Sequence, residues 1–122
     1  MSHTRERAAL SGFCPRFHTA AELIGRRWTS AIIRALMAGR SRFSEIAAEV
    51  PGVSDRLLCE RLRELEEARI VKRLVDPGPP IRVDYVLTKS GTELDSTIRA
   101  LAEWAERWMP LPEHNGARRK RR

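Results

Sequence analysis

The side chains best suited to chemistry in this 122-residue chain are arranged for non-covalent recognition. Arg56, Glu60 and Arg63 recur at i, i+4 and i+7, so on a helix they share one face, which Glu67 continues and Cys59 flanks. At that spacing guanidinium groups can donate to base edges and phosphates, and a carboxylate can accept from a base amino group, in a DNA groove. Covalent chemistry finds no comparable constellation. Cys14 and Cys59 belong to no CxxC pair and no Cys/His cluster of zinc spacing, and His3, His18 and His114 are scattered. A thiol enzyme would need a base beside Cys14, for which only His18 is a candidate. With no glycine-rich phosphate loop and no convergent carboxylates, the chain is expected to be no enzyme, to hold no metal and to need no cofactor.

A face of that kind must be held by the opposite side of its helix. From Arg42 to Glu67 the sequence writes two amphipathic helices around Pro51-Gly52. Phe43, Ile46, Ala47 and Val50 form the first apolar stripe, and Leu58, Leu62, Leu65 and Arg69 share a face of the second. Pro51 disfavours helical geometry at Val50, Gly52 can take a positive φ, and Val53 is a small apolar plug. Ser54 reads as the N-cap of the second helix, with Asp55 in its first turn complementing the dipole. Two helices around a tight turn predict a helix-turn-helix whose second helix lies in the major groove. Arg42 and Ser44, at the start of the first helix, join Ser54 as candidate DNA contacts.

A hairpin follows. Val71 to Val75 and Ile81 to Leu87 read as strands around Asp76-Pro77-Gly78-Pro79-Pro80. A β-hairpin directly after a recognition helix is a wing, with Lys72, Arg73 and Arg82 at its base or edge within reach of phosphate or minor groove. Upstream, a helix opened by Pro15 or Thr19 should stop at Gly25, and another should run from Trp28 to Gly39, with Trp28 in the core. Downstream, Thr88 caps a long helix to about Met109. Leu94, Ile98, Leu101, Ala105 and Trp108 repeat along it at coiled-coil spacing, with Trp104 beside them, a seam that wants a partner. The fold class is thus mainly α with a small β-hairpin wing: a winged helix-turn-helix with a long C-terminal dimerisation helix.

Composition agrees. At 122 residues with 42% hydrophobic content, one compact domain is expected. It should span 13–111, between a flexible N-terminal arm (1–12) and a disordered basic tail (112–122). The net charge is +7, but Arg118 to Arg122 supply +5, leaving +2 for residues 1–117. Distribution therefore matters more than the total. Arg26, Arg27, Arg34, Arg40 and Arg42 lie in a stretch without acids, whereas Ser54 to Glu67 carries three arginines against five acids. Phosphate anchoring is expected from the former and from the wing. No apolar run is long enough to span a bilayer and the start lacks a signal-peptide core, so no membrane partner and a cytoplasmic location are expected.

Several blocks in order carry a resemblance: Cys14-Pro15, IGRRWT from Ile24 to Thr29, RFSEI from Arg42 to Ile46, PGVSDRLLCERLRELEE from Pro51 to Glu67, VDYVLTKSG from Val83 to Gly91 and AEWAERW from Ala102 to Trp108. Over residues 13–109 the chain resembles HxlR-type bacterial winged helix-turn-helix regulators. The resemblance implies a homodimeric transcriptional regulator that binds a palindromic promoter site in double-stranded DNA. Dimer contacts would come from the first and last helices, through Leu23, Leu94, Ile98, Leu101, Trp104, Ala105 and Trp108. Ser54, Arg56, Glu60 and Arg63 correspond to the groove-facing helix and Arg82 to the wing. Many members respond to electrophiles, quinones or oxidants through an N-terminal cysteine, which makes Cys14 the candidate redox-sensing residue. A thiol at the start of a helix, near Arg16 and His18, is compatible with that role. The inducer would be an electrophile or another small molecule. The alternative is a winged-helix protein-interaction module without sequence-specific DNA binding.

Overall fold

The computed structural model describes residues 12–112, so the expected arm and tail lie outside the described residues except for Gly12 and Pro112. The elements run α1 (Pro15–Ile24), α2 (Thr29–Met37), α3 (Phe43–Glu49), α4 (Asp55–Glu67), β1 (Val71–Asp76), β2 (Arg82–Leu87) and α5 (Lys89–Trp108). Among the described residues no helix is long and apolar enough to cross a membrane.

Local chemistry explains the boundaries. Pro15 occupies the first turn of α1, where a missing N–H costs nothing, and the Gly25 N–H closes the helix on the Ala21 carbonyl at 2.8 Å. The Ser54 hydroxyl accepts from the Leu57 N–H at 3.1 Å, capping α4 as its spacing predicts. Thr88 caps α5 by accepting from the Gly91 N–H at 3.2 Å. The strands pair antiparallel with Val71 opposite Leu87 and Asp76 opposite Arg82.

The stripes meet in one core. Ile32, Ile33, Ala35 and Leu36 of α2 pack with Ile46 and Val50 at α3, and with Leu58, Leu62 and Leu65 of α4. Ile70, Val71 and Ile98 close it from the wing side and from α5. Each fully buried Leu or Ile stabilises the fold by roughly 1.5–3 kcal/mol, so the leucine stripe of α4 fixes which of its faces is left for solvent.

Three expectations need correction. Arg69 does not extend that stripe: α4 ends at Glu67, and Arg69 is exposed with φ 61° while Thr88 and Ser90 donate to its carbonyl. The chain must reverse there to enter β1, and a tight reversal overrides helical periodicity. Ile98, expected in the dimer seam, is 3% exposed within its own core, so it is already covered and has no surface to offer a partner. The physical reason is length. The first turns of α5 lie on the domain, where Leu94 is also half-buried against the core, and the rest overhangs.

Trp28 is half-buried rather than enclosed. Its backbone is left-handed, with φ 77°. The Arg27 guanidinium lies 5.0 Å from its ring centroid. The ring also abuts the helix-turn-helix turn: a Cβ on Gly52, itself at φ 98°, would stand 3.2 Å from Trp28 Cη2. Glycine is therefore favoured there by its backbone conformation, and a Cβ would also press on the Trp28 ring.

Candidate nucleic-acid interface

Because Leu58, Leu62 and Leu65 face inward, Arg56, Cys59 and Arg63 project from the exposed side of α4. Among the described residues Arg56 and Arg63 make no side-chain hydrogen bond or ion pair. They are free to donate elsewhere. Glu60 lies between them, half-buried, with its carboxylate 3.9 Å from Arg61 Nη1. Arg61 is the exception among the helix's arginines. Its side chain is only 14% exposed, its Nε donates to the Arg27 carbonyl at 3.0 Å and its Nη1 to Glu64 at 3.1 Å, tying α4 to the loop before α2. Ser54 uses its hydroxyl oxygen as the cap acceptor, yet the hydroxyl proton remains available to a phosphate oxygen.

The arginine-rich stretch Arg26 to Arg42, expected to anchor phosphate, is divided among different partners. Arg26 pairs with Glu64 at 3.2 Å, Arg40 with Glu49 at 3.7 Å, and Arg27 lies over Trp28. Arg34 borders a hollow against Arg99, Ala102 and Glu103 of α5. Only Arg42, with Ser44 exposed two residues on, stands beside the wing. Acids brought close by the fold pair with Arg26 and Arg40, a pairing that leaves no local pattern.

On the wing, the pleat separates the three cations. Lys72 and Arg82 lie on one face of the ribbon, whereas Arg73 shares the face of Val71 and Tyr85, whose inner ends meet the core. The structure thus groups Lys72 with Arg82 and sets Arg73 apart. Sequence reasoning overlooked Ser41, Glu45 and Asp84. Ser41 Oγ donates to Asp84 Oδ1 at 2.9 Å, and the Ser41 carbonyl accepts from the Tyr85 N–H at 2.8 Å. Glu45 accepts from the Ser41 and Arg42 N–H groups, each at 3.1 Å, which closes the start of α3. The glutamate three residues after Arg42 was the one local signal available.

Both carboxylates are held below the usual carboxylate range. The backbone N–H groups of Ser41 and Arg42 lower Glu45. The Ser41 hydroxyl lowers Asp84, with Arg82 and Arg42 adding to it. A depressed folded pKa contributes stability that is present above the unfolded pKa and is lost as pH falls through the folded one. Melting temperature should therefore decline on acidification through and below the ordinary carboxylate range. Ser41→Ala, which removes the hydroxyl from Asp84, should flatten that decline relative to wild type in melts recorded across acidic pH; parallel curves would mean the hydroxyl does not hold the charge.

The remaining candidates lie on α1, α4 and α5. Cys14 is half-buried at the N-cap of α1, and the His18 ring lies tilted against Phe13, with ring centroids 5.1 Å apart. Cys59 is a free, exposed thiol. No residue of α1 is buried, although Leu23 packs against the core at half exposure. On α5, Leu101 and Trp104 are 53% exposed and Trp108 is 65% exposed, while Ala105 is half-buried.

A family model described as HxlR-like helix-turn-helix matches residues 23–113, which begins after Cys14. The transcriptional regulator YodB of Bacillus subtilis (strain 168) is 42% identical over 95 residues, covering 78% of this chain and 85% of YodB. Its reduced form superposes with a TM-score of 0.73 at 39% identity, covering 84% of this chain and all of that structure. Its quinone-bound form gives a TM-score of 0.69 at 40% identity, over 79% of this chain and all of that structure. The redox regulator HypR in its oxidised form gives a TM-score of 0.73 at 32% identity, over 80% of this chain and all of that structure.

Proposed function

The chain belongs to the HxlR-like helix-turn-helix family of transcriptional regulators, and we propose that it binds a two-fold symmetric promoter site as a homodimer whose affinity is switched at Cys14. The observation that carries the DNA reading is the exposed face of α4, where Arg56 and Arg63 stand unpaired among the described residues, opposite a buried leucine stripe. Arg56, Glu60 and Arg63 would reach base edges, while Arg42, Ser44, Ser54, Lys72 and Arg82 would hold phosphates, with Arg73 contributing from the opposite ribbon face.

Dimerisation is supported by apolar surface that the monomer leaves uncovered. Leu101, Trp104 and Trp108 on α5, and Phe13 and Phe17 near α1, are all exposed. A two-fold axis through these helices would place one α4 per half-site, about 34–36 Å apart on B-form DNA. Leu94 and Leu23 would act indirectly, by seating α5 and α1 on the core. Replacing Trp104 and Trp108 together by serine should give a monomer in size-exclusion chromatography with light scattering. A dimer that persists would move the interface elsewhere.

Signal entry at Cys14 is supported by its position at the N-cap of α1, a helix with no buried residue, and by the quinone-bound form of the relative YodB. An electrophile or oxidant that modifies the sulfur would displace α1 and so alter the separation of the two α4 helices. Such a regulator would act in the cytoplasm. Fluorescence anisotropy with the duplex upstream of its own gene, across salt, tests the reading. Tight, salt-sensitive binding that wild type loses with diamide or a quinone and Cys14→Ser keeps is the expected result. Equal persistence in both would make Cys14 structural, and the absence of sequence preference at every salt would favour the protein-interaction module.

A further inference from the structure

Two arginines from different elements meet at one carboxylate. Arg42 leads into α3 and Arg82 opens β2, yet Arg82 Nε donates to Asp84 Oδ2 at 3.2 Å and Arg42 Nε stands 4.0 Å from Asp84 Oδ1. Asp84 is itself anchored. It receives the Ser41 hydroxyl at 2.9 Å, and Ser41 is fixed through its carbonyl by Tyr85 and through its N–H by Glu45. The carboxylate is therefore located by the Ser41 hydroxyl, whose own residue is tied to β2 and to the start of α3, as well as by the arginines it serves.

Each guanidinium turns its Nε toward Asp84. Among the described residues, the Nη groups of Arg42 and Arg82 make no hydrogen bond, so the paired donors suited to a phosphate remain open. We propose that Asp84 is a positioning residue that holds Arg42 and Arg82 as a two-guanidinium clamp on the DNA phosphate backbone. The inference rests on the proposed function and adds a residue to it.

The physical reasoning is preorganisation. Arginine side chains lose rotamer freedom when they bind, and holding them beforehand reduces that cost. A carboxylate between two guanidiniums also lets the like charges stand close while one net positive charge remains for the phosphates. Simple charge counting predicts the reverse outcome on mutation. Removing an acid beside DNA should tighten binding and steepen its salt dependence. The clamp predicts that binding weakens, so the sign of the change separates the two.

The test uses the full chain, the duplex upstream of its gene and a scrambled duplex of equal length, titrated across salt. Asp84→Asn keeps the size of the side chain and removes the charge. It should weaken binding roughly three- to tenfold on both duplexes and lower the slope of log affinity against log salt by about one. Adding Arg82→Ala to Asp84→Asn should cost less than Arg82→Ala alone, because coupled residues are not additive. Ser41→Ala retains the charge and removes its anchor, and should weaken binding in the same direction by less. Unchanged or tighter binding by a folded Asp84→Asn protein overturns the clamp; if that variant fails to fold, unchanged binding by Ser41→Ala does so. A wild-type chain without salt-dependent binding to either duplex would remove the proposed function and the clamp with it.

Discussion

Replacing Gly91 by alanine is expected to lower the unfolding free energy by about 2–4 kcal/mol, the range for overpacking combined with loss of buried hydrogen bonds. A Cβ at this position would lie 2.2 Å from the Ile70 carbonyl oxygen and 3.0 Å from Leu87 Cδ2. The first obstacle is backbone and cannot rotate aside. That carbonyl also receives the Thr88 N–H at 2.9 Å, so moving it disturbs the residue that caps α5. A drop in melting temperature of roughly 10 °C or more, followed by circular dichroism, is the expected readout. Gly39→Ala provides the comparison. Gly39 has φ 95° but nothing within 4 Å of its notional Cβ, so only the backbone strain of about 1–2 kcal/mol applies. Equal effects of the two substitutions would mean that α5 is not seated on the Ile70 carbonyl. Because α5 carries Trp104 and Trp108, any dimer of Gly91→Ala should weaken as well.

The second large effect is expected on binding. Replacing Arg56 and Arg63 together by alanine should reduce affinity for the specific duplex about a hundredfold or more, since each bidentate arginine–base contact is worth about 1–3 kcal/mol. The salt slope assigns their roles. If they read bases, specific binding falls toward the non-specific level with little change of slope, whereas phosphate contacts would each lower the slope by about one. Arg61→Ala, on the same helix, should behave differently. Its guanidinium is occupied by the Arg27 carbonyl and Glu64, so its loss should reduce stability and leave base preference intact. If Arg61→Ala alters base preference and the double variant does not, α4 would present a different face to the groove.

By itself the sequence determined the order of the elements, the capped recognition helix and the wing, because those features are written in short-range physics. The leucines of α4 repeat with the helical period, Ser54 supplies its own cap acceptor, and Pro51-Gly52 breaks the chain between two stripes. Arg56 and Arg63 were legible for the same reason: facing away from a stripe is a property of one helix. Only the tertiary structure decided how each charge and each apolar face is used. Ile98 and Trp108 share one seam by spacing, but the reach of the domain divides them, so Ile98 meets the core and Trp108 meets solvent. Arg26 and Arg42 share one basic stretch, yet Glu64 and Asp84 draw them to different partners. Asp84 itself carried no local mark, since its meaning depends on Ser41, 43 positions earlier. Periodicity reports which side of an element a residue occupies. What stands opposite that side is set by how the elements pack.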